Sequence, residues 1–316
     1  MATSNFTLNT GATIPAIGLG TWQSAAGEVE TAVYHAITVA GVRHIDCAFA
    51  YGNEAEVGRA FTRVFSEGKV SRSEVFVTTK LWGTWHTRTT EALEASLKNL
   101  GLDYVDLYLM HWPIPLNPSG NHPFFPTKPD GTREVLEDWS FVDTWKAMEK
   151  LVDSGKTKAI GVSNCSIPYL EHLLKSATIV PAVNQVELHP LLPQEKLVAY
   201  CKEKGIRMTA YSPLGSTGGP LLKDETVKKV AEKHGISVGN VLINWLVARG
   251  IVAIPKSVTP SRIEENAKIV ALDEEDVEAI WGIHNAQGVK RFVSPPWPVS
   301  LLFDDAPWAE NFKTLL

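Results

Sequence analysis

VFVTTKLWGTWHTRTTEALEASLKNLGLDYVDLYLMHW, residues 75–112, places a helical pattern between two apolar runs. The flanking runs, VFVTTKLW and VDLYLMHW, are rich in Val, Leu, Thr and Tyr, and they lack a regular polar alternation, as expected of strands buried on both faces. Between them Leu93, Leu97 and Leu100 recur at helical spacing, and Gly101 follows where a helix would end. The stretch therefore predicts a strand, a helix and a second, parallel strand.

The same pattern extends outward along the chain. Eight apolar runs are candidate strands: AIGLGTW (16–22), RHIDCA (43–48), VFVTTKLW (75–82), VDLYLMHW (105–112), AIGVSN (159–164), AVNQVEL (182–188), MTAYSPL (208–214) and VAIPKS (252–257). Helical patterns lie between them, for example at 27–41, 193–205 and 237–250. Eight such units predict an α/β TIM (β/α)8 barrel, a fold of about 250 residues plus insertions.

Three segments lie outside the repeated units. FTLNTGATIPAI (6–17) predicts an N-terminal β-hairpin. Residues 113–138 and 285–316 are rich in Pro and aromatic residues and aperiodic, so we expect long loops at the C-terminal face of the barrel and a packed tail. Without a linker or an internal repeat, the sequence predicts a single domain over residues 1–316.

A doubly wound parallel sheet is the alternative fold. Its dinucleotide-binding fingerprint requires a third glycine, whereas Gly18-Leu19-Gly20 continues with Thr21 and Trp22. The missing glycine favours the barrel.

Composition limits the classes of partner. The chain has 316 residues and a formal net charge of −5, so it carries no electrostatic signature of nucleic-acid or anionic-membrane binding. No run approaches the ~20 apolar residues of a spanning helix, and the N-terminus lacks the features of a signal peptide. Cys47, Cys165 and Cys201 contain no CxxC pair, which indicates a reducing, cytoplasmic location. Nine histidines without an HExxH motif predict no metal site.

The strand ends carry a set of ionisable side chains. Asp46, Lys80 and His111 end the second, third and fourth predicted strands, and Tyr51 follows shortly after the second. Active sites of TIM barrels lie at this end of the strands. Desolvation raises the pKa of a phenol and a neighbouring ammonium lowers it, so Lys80, held protonated by Asp46, should bring the pKa of Tyr51 closer to neutrality. Tyr51 would then protonate an alkoxide, as hydride delivery to a carbonyl requires, while neutral His111 orients the carbonyl oxygen.

Each of these residues also has a structural interpretation. A strand-end Asp often caps a turn, and a lone Lys is usually solvated. A lone His usually packs in the wall of the fold. Tyr51-Gly52-Asn53-Glu54 could be a turn with Asn53 as a helix N-cap. Convergence at consecutive strand ends favours a shared chemical role. The spacing of Tyr200 and Lys204 matches a short-chain dehydrogenase pair, but it lies in a polar helical stretch and indicates a solvated helix face.

Several motifs, in this order between about residue 6 and about residue 270, resemble the aldo-keto reductase family. They are GLGTW, HIDCAFAYGNEAEVG, TTKLW, LYLMHWP, GVSN, NQVELHP, AYSPLG and IPKSVTPSRIEEN. Within the family the chain resembles glycerol dehydrogenases, glyceraldehyde reductases and aldose reductases. The resemblance implies that Asp46, Tyr51, Lys80 and His111 form the catalytic tetrad, with Tyr51 as proton donor.

The same resemblance implies a binding site for a nicotinamide cofactor. Ser163, Asn164 and Gln185 match the residues that hold the carboxamide, and Tyr211 matches the aromatic ring that stacks on the nicotinamide. The remaining expected cofactor contacts are Thr21, Trp22, Asp46, Ser212, Leu214, Ser216, Lys256, Ser257, Val258, Arg262, Glu265 and Asn266.

IPKSVTPSRIEEN also indicates which cofactor is used. Lys256 and Arg262 flank a turn with the hydroxyls of Ser257 and Thr259, a cluster suited to the 2′-phosphate of NADPH/NADP+. A site that prefers NADH would more often present an acid to the ribose. Val258 stands where dual-cofactor xylose reductases have Asn, which also favours NADPH. A solvated basic helix start is the alternative.

Aromatic residues predict the substrate class. Trp22, Trp82 and Trp112 lie at strand ends beside Tyr51 and His111, and Phe49 precedes Tyr51. An apolar pocket of this kind suits small-molecule carbonyl substrates, namely aromatic aldehydes and short hydroxyaldehydes such as glyceraldehyde, with aldoses less favoured. We expect a monomer or weak dimer. The alternatives are a nucleotide-sensing regulatory subunit on the same fold and a Schiff-base aldolase that uses Lys80.

Overall fold

The computed structural model describes residues 4–25, 27–216, 218–305 and 313–316. It begins with an antiparallel hairpin of β1 (Asn5–Thr7) and β2 (Thr13–Pro15), in which Phe6 pairs with Ile14. The predicted N-terminal hairpin is confirmed.

An eight-stranded parallel sheet follows, with the strands adjacent in chain order. Its strands are β3 (Leu19–Gly20), β4 (His44–Asp46), β5 (Phe76–Leu81), β6 (Leu107–Met110), β7 (Ile160–Ser163), β8 (Val183–Glu187), β9 (Arg207–Tyr211) and β10 (Val252–Ala253). Parallel bridges between Ile17 and Ala253 and between Gly20 and Lys256 join the last strand to the first. The sheet therefore closes into the predicted TIM barrel.

Helices surround the barrel. Within the described residues they are α1 (Glu28–Thr38), α2 (Glu54–Ser66), α3 (Thr89–Leu100), α4 (Phe141–Asp153), α5 (Ile167–Leu174), α6 (Glu195–Glu203), α7 (Glu225–His234), α8 (Val238–Ala248), α9 (Pro260–Asn266), α10 (Glu274–Trp281) and α11 (Ile283–Gln287). Gly101 ends α3 with φ +64°, a conformation that glycine adopts without strain. No helix in this described part is long and apolar enough to cross a lipid bilayer.

Two apolar layers result from the period of two along each strand. In β6, Tyr108 and Met110 belong to the layer between barrel and helices, whereas Leu107 and Leu109 fill the barrel interior. Leu8 and Ile14 of the hairpin join the interior cluster, so the hairpin covers the N-terminal end of the barrel. The hairpin leaves the opposite end, where the strands terminate, available for a functional site.

Close backbone approach fixes the helices on one side of the barrel. Gly58 of α2 faces the end of α3, and a β-carbon added at Gly58 would lie 2.4 Å from the backbone oxygen of Asn99. Any larger residue would push these two helices apart.

Candidate active site

Lys80 lies at the centre of the candidate site and is completely buried (0% exposed). Its Nζ atom lies 2.5 Å from Asp46 Oδ1, 2.8 Å from the backbone oxygen of Cys47 and 3.1 Å from Tyr51 Oη. An ammonium group has three protons, and these three acceptors satisfy all of them.

Asp46 connects three strands at this point. Its Oδ1 atom accepts from Lys80 of β5, and its Oδ2 atom accepts from Gln185 Nε2 of β8 at 2.8 Å. The hydroxyl of Thr21, just after β3, donates to the backbone oxygen of Asp46 at 2.9 Å. Both carboxylate oxygens are therefore engaged, which fixes the orientation of the acid.

Burial and charge oppose one another in setting the pKa values here. Burial lowers the pKa of the Lys80 ammonium, but the charge of Asp46 and the contact with Tyr51 outweigh it and raise that pKa to about 12. For Tyr51 burial is the larger effect and raises the pKa of the phenol to about 12, although Lys80 lowers it. The prediction that Tyr51 titrates closer to neutrality is therefore wrong for the protein alone: the phenol is firmly protonated at pH 7.

His111 faces Tyr51 from the end of β6. The ring centroids of His111 and Tyr51 are 5.6 Å apart and the rings are nearly perpendicular, and the ring of Trp82 also packs against His111 at 5.2 Å. Burial, reinforced by the charge of Lys80, holds the pKa of His111 well below its usual range. His111 is thus neutral at pH 7, as its predicted role requires.

The segment that carries Tyr51 is fixed from both sides. Phe49–Tyr51 forms a short 3-10 helix, and Asn53 follows it as the residue that precedes α2. Asn53 makes no side-chain capping hydrogen bond, which corrects the N-cap interpretation; its Nδ2 atom instead donates to the backbone oxygen of Thr21 at 2.8 Å. Buried Glu54 accepts from Thr79 Oγ1 at 2.6 Å. Tyr51 is therefore held between the ends of β3 and β5.

A hydrogen-bonded chain extends from His111 across the next strands. Asn164 Nδ2 donates to the backbone oxygen of His111 at 3.0 Å, and Tyr211 Oη donates to Asn164 Oδ1 at 2.9 Å. Ser163 Oγ donates to the backbone oxygen of Gln185 at 2.7 Å. The expected carboxamide-binding residues and the expected stacking ring thus lie together beside the tetrad.

Backbone strain occurs at and near the hydrogen-bonded residues that extend from His111. Asn164, Ser212 and Ser216 have φ values of +60°, +49° and +64°. A residue other than glycine held in this region costs of order 1–3 kcal/mol, and such residues cluster at ligand sites. All three line the same cavity.

The cavity has a volume of about 420 Å³ and opens at the C-terminal end of the strands. Among the predicted cofactor and substrate residues, those that line it are Thr21, Trp22, Asp46, Tyr51, Trp82, His111, Trp112, Ser163, Asn164, Gln185, Tyr211, Ser212, Leu214, Ser216 and Lys256. This set brings together every member of the predicted tetrad except Lys80, which lies beneath Asp46 and Tyr51 and contacts both.

The other predicted cofactor residues continue from Lys256 along the chain, outside the cavity itself. Ser257 and Asn266 are mostly buried, each 9% exposed, whereas Arg262 is exposed on α9. Val258 packs against the core beneath them, and Glu265 forms an ion pair with Lys268. Across the described part of the chain, neither Lys256 nor Arg262 forms an ion pair, although neighbouring charged residues do.

Comparison with known proteins places this arrangement in a family. A family model described as the aldo/keto reductase family matches residues 16–285, a range that contains every strand of the barrel. The chain belongs to the aldo/keto reductase family. It is therefore an oxidoreductase, and members of this family use a nicotinamide cofactor.

Similar proteins include curated and structurally solved reductases. This aldo/keto reductase is 53% identical over 309 residues to a D-galacturonate reductase of Hypocrea jecorina, covering 96% of this chain and 99% of that protein. It is 52% identical over 303 residues to a glycerol 2-dehydrogenase (NADP(+)) of Saccharomyces cerevisiae, covering 94% and 96%. An aldose reductase structure from Schistosoma japonicum superposes with a TM-score of 0.86 at 37% identity, covering 98% of this chain and all (100%) of that one.

One predicted substrate residue of the reductase lies elsewhere. Phe49 is absent from the cavity lining; its ring packs against Trp85 at 5.6 Å and Phe124 at 5.7 Å. The 3-10 turn explains this position, because it directs Phe49 and Tyr51 to different sides. The next residue, Ala50, lines the cavity in its place.

The sequence analysis did not predict several side chains of the cavity wall, among them Phe125, Val293 and Trp297. Phe125 comes from the long loop after β6, and Val293 and Trp297 come from the tail. Trp297 packs on Trp112 at 5.5 Å, and Phe125 packs on Trp82 at 5.3 Å. Their segments were expected to form a long loop at the C-terminal face and a packed tail, but the aperiodic sequence gave no signal for which residues turn inward.

A separate acidic cluster far along the chain has the composition of a metal site. Ligand atoms of His234, Asp273 and Asp276 lie within 4.8 Å of one another. Lys233 Nζ contacts the two carboxylates at 2.6 and 2.8 Å, and His234 Nε2 lies 2.6 Å from Asp276. The ammonium of Lys233 offsets part of the negative charge of the two carboxylates, and the cluster is a salt-bridge network that joins α7 to α10.

Proposed function

We propose that this aldo/keto reductase reduces aldehydes to alcohols with NADPH, with Tyr51 as the general acid. One observation carries the proposal: the buried Lys80 ammonium contacts Asp46 and Tyr51 together, at 2.5 and 3.1 Å, beneath a cavity lined by neutral His111. A permanently charged lysine beside a phenol stabilises the phenolate that proton donation leaves behind.

Each tetrad residue has a distinct task in this scheme. NADPH, when bound, supplies the hydride to the carbonyl carbon. His111 orients the carbonyl oxygen, and Tyr51 donates its proton to that oxygen as negative charge develops. The high pKa of Tyr51, about 12, keeps the proton on the phenol until a far stronger base, the alkoxide, forms beside it. Asp46 keeps Lys80 charged and aimed at Tyr51.

The residues present fit NADPH. Lys256 lines the cavity and Arg262 follows on α9, and within the described chain both cations lack an acidic partner. A 2′-phosphate would supply that missing charge through charge-assisted hydrogen bonds. Ser163, Asn164, Gln185 and Tyr211 would hold the nicotinamide end beside Tyr51. The remaining contacts proposed are Thr21, Trp22, Ser212, Leu214, Ser216, Ser257, Val258, Glu265 and Asn266.

The walls of the cavity favour small aldehydes with an apolar or aromatic group. Trp82, Trp112 and Trp297 are almost completely buried around it, while Trp22 (41% exposed) and Phe125 (38% exposed) lie at its mouth. A wall of this kind discriminates only weakly for hydroxyl groups. We therefore propose aromatic aldehydes and short hydroxyaldehydes such as glyceraldehyde as substrates, ahead of aldoses.

The geometry disfavours the aldolase alternative. A lysine that forms a Schiff base reacts as the neutral amine, whereas Asp46 and Tyr51 keep the pKa of Lys80 at about 12 against the effect of burial. Borohydride trapping with an aldehyde should therefore leave Lys80 unlabelled. A nucleotide-sensing subunit would bind NADPH without turnover, so turnover itself separates it from a reductase.

The test of the proposal is Tyr51→Phe, which removes the acid and keeps the ring. We expect kcat for aldehyde reduction to fall by roughly 10²-fold or more, because the general acid is lost. NADPH oxidation should be followed with glyceraldehyde, benzaldehyde, D-xylose and D-galacturonate as substrates. NADPH binding, measured by fluorescence quenching, is the control and should be unchanged. Unimpaired turnover by this variant would rule out Tyr51 as the proton donor.

A further inference from the structure

Glu187, the last residue of β8, is a completely buried acid (0% exposed) outside the tetrad. Its Oε1 atom accepts from the backbone nitrogen of Phe292 at 2.7 Å, and its Oε2 atom accepts from the backbone nitrogen of Val293 at 2.7 Å. His189 Nε2 lies 2.9 Å from Oε1, and the His189 ring packs on Phe292 at 5.2 Å. One carboxylate thus connects the barrel to two consecutive residues of the tail.

This contact is energetically unusual. Within the described residues the one ion-pair partner of Glu187 is His189; the Arg291 guanidinium is close enough to interact with its charge but is paired with Asp305. Burying a charge in this way is unfavourable unless strong hydrogen bonds satisfy it. Two charge-assisted bonds from backbone N–H groups meet that requirement, and each is about twice as strong as a neutral one. Their partner is a tail segment that lacks regular structure.

Glu187 holds the middle of the tail, between a bond from the nitrogen of Lys290 to the oxygen of Leu191 and one from Tyr169 Oη to the oxygen of Ser300, both at 2.8 Å. For residues 291–299, the hydrogen bonds to the barrel found in the described part of the chain are the two that Glu187 accepts. The paired hydrogen bonds of Arg291 with Asp305, both at 2.7 Å, stay within the tail, and the remaining contacts of the segment with the barrel are apolar packing, such as Trp297 on Trp112 at 5.5 Å. Val293, whose backbone nitrogen donates to Glu187, lines the cavity, and so does Trp297, four residues further on.

We propose that Glu187 is a positioning residue for substrate selection: its carboxylate fixes the tail so that Val293 and Trp297 form one wall of the aldehyde compartment. The inference rests on the proposed aldehyde reduction for its kinetic consequence. Glu187 does not itself line the cavity, so it acts through the tail.

The consequence is selective. A large aldehyde such as benzaldehyde fills the compartment and contacts this wall, whereas glyceraldehyde is smaller. Loss of the anchor should therefore raise KM for benzaldehyde more than KM for glyceraldehyde. The tetrad is held by separate hydrogen bonds, so kcat should change less than KM. Of the proposed NADPH contacts only Gln185 shares β8 with Glu187, and its side chain is held separately by Asp46 at 2.8 Å, so NADPH affinity should stay constant.

Glu187→Gln tests the anchor at nearly constant shape. An amide presents one N–H₂ group where the carboxylate had an oxygen, so at least one of the two backbone N–H groups loses its acceptor. Glu187→Asp keeps the charge, but it is one methylene shorter and cannot reach both nitrogens. This second variant keeps the test decisive if the first folds poorly.

Glu149→Gln is the matched control. Glu149 Oε1 accepts from two consecutive backbone nitrogens, those of Thr178 at 2.7 Å and Ile179 at 2.8 Å. These residues precede β8, at the end of the barrel opposite the cavity. The amide oxygen of Gln can accept both of these bonds, so the same substitution there should leave both local exchange and aldehyde kinetics nearly unchanged.

The measurements are hydrogen–deuterium exchange of a peptide spanning residues 288–299, NADPH affinity, and kcat and KM for both aldehydes. We expect faster exchange in that peptide and a benzaldehyde KM raised about tenfold or more, the effect of a lost charge-assisted bond. Unchanged exchange in that peptide would overturn the proposal that Glu187 holds the tail in place. Faster exchange with an unchanged benzaldehyde KM would overturn the proposed role of Glu187 in substrate selection. If the wild-type protein reduced neither aldehyde, the proposed function would fail, while the exchange result would still decide the anchor.

Discussion

Replacing Asp46 with Asn should destabilise the reductase and make its stability newly dependent on pH. Lys80 is 0% exposed, and of its three acceptors Asp46 alone is charged. Asn keeps the shape and one acceptor oxygen, but it leaves the ammonium without a counter-charge. Removing one partner of a buried ion pair costs roughly 3–5 kcal/mol, with deprotonation of Lys80 as the route that limits the loss.

The sign of the pH effect follows from the two pKa values. In the wild-type protein burial lowers the pKa of Lys80, but Asp46 and Tyr51 raise it to about 12, above the value of about 10.4 in an unfolded chain. The contribution of this group to stability is therefore fully present below about pH 10 and is lost as pH rises through about 12. In Asp46→Asn burial is no longer outweighed, so the folded-state pKa should fall below the unfolded value. The variant should then gain stability as pH rises from 7 toward 10.

Urea denaturation and kcat, each measured at several pH values between 7 and 10, check this prediction. As Lys80 of the variant loses its proton, Tyr51 loses the neighbouring charge, so kcat should be at least about tenfold lower and should fall further with pH. Asp304→Asn is the control, because Asp304 and Lys196 form an exposed pair (69% and 80% side-chain exposure) whose loss should be hardly measurable. A loss of stability below about 1 kcal/mol with a flat pH profile would refute the assignment of Asp46 as the group that keeps Lys80 charged.

Two further predictions concern the cofactor and the helices. Arg262→Ala should weaken NADPH binding roughly tenfold or more, and the loss should be smaller at high salt. NADH binding should stay nearly constant, because NADH has no 2′-phosphate. Equal losses of affinity for the two cofactors in binding titrations would show that Arg262 shapes the loop instead. Gly58→Ala should destabilise the protein by about 1–3 kcal/mol in thermal unfolding, since the new methyl group would lie 2.4 Å from the backbone oxygen of Asn99. Alanine normally stabilises a helix relative to glycine, so a gain in stability would contradict the close approach.

The barrel was predictable because its strands and helices differ in period. Unalternated apolar runs located all eight strands, and the hairpin followed from its turn residues. Strand ends were less predictable. The run VAIPKS became only Val252–Ala253, because Pro255 has no N–H for the ladder, although its oxygen still accepts from the nitrogen of Gly20 at 3.0 Å.

The site was predictable where a strand end fixed the side chain, as for Asp46 and Lys80. It was not predictable where an irregular segment did so, as for Phe49 in its 3-10 turn and Trp297 in the tail. The pKa of Tyr51 shows a second limit. Burial raises it and Lys80 lowers it. The balance depends on depth and distance, which residue order does not specify.

The hairpin that covers the N-terminal end of the barrel has a practical consequence for handling the enzyme. Leu8 and Ile14 seal that end, so the face that bears the N-terminal strand is diametrically opposite the mouth of the cavity. A linker attached ahead of Asn5 would immobilise the reductase on a solid support with its mouth directed toward the surrounding solution. Attachment through the tail, which supplies a wall of the cavity, would instead bring the support close to the entrance.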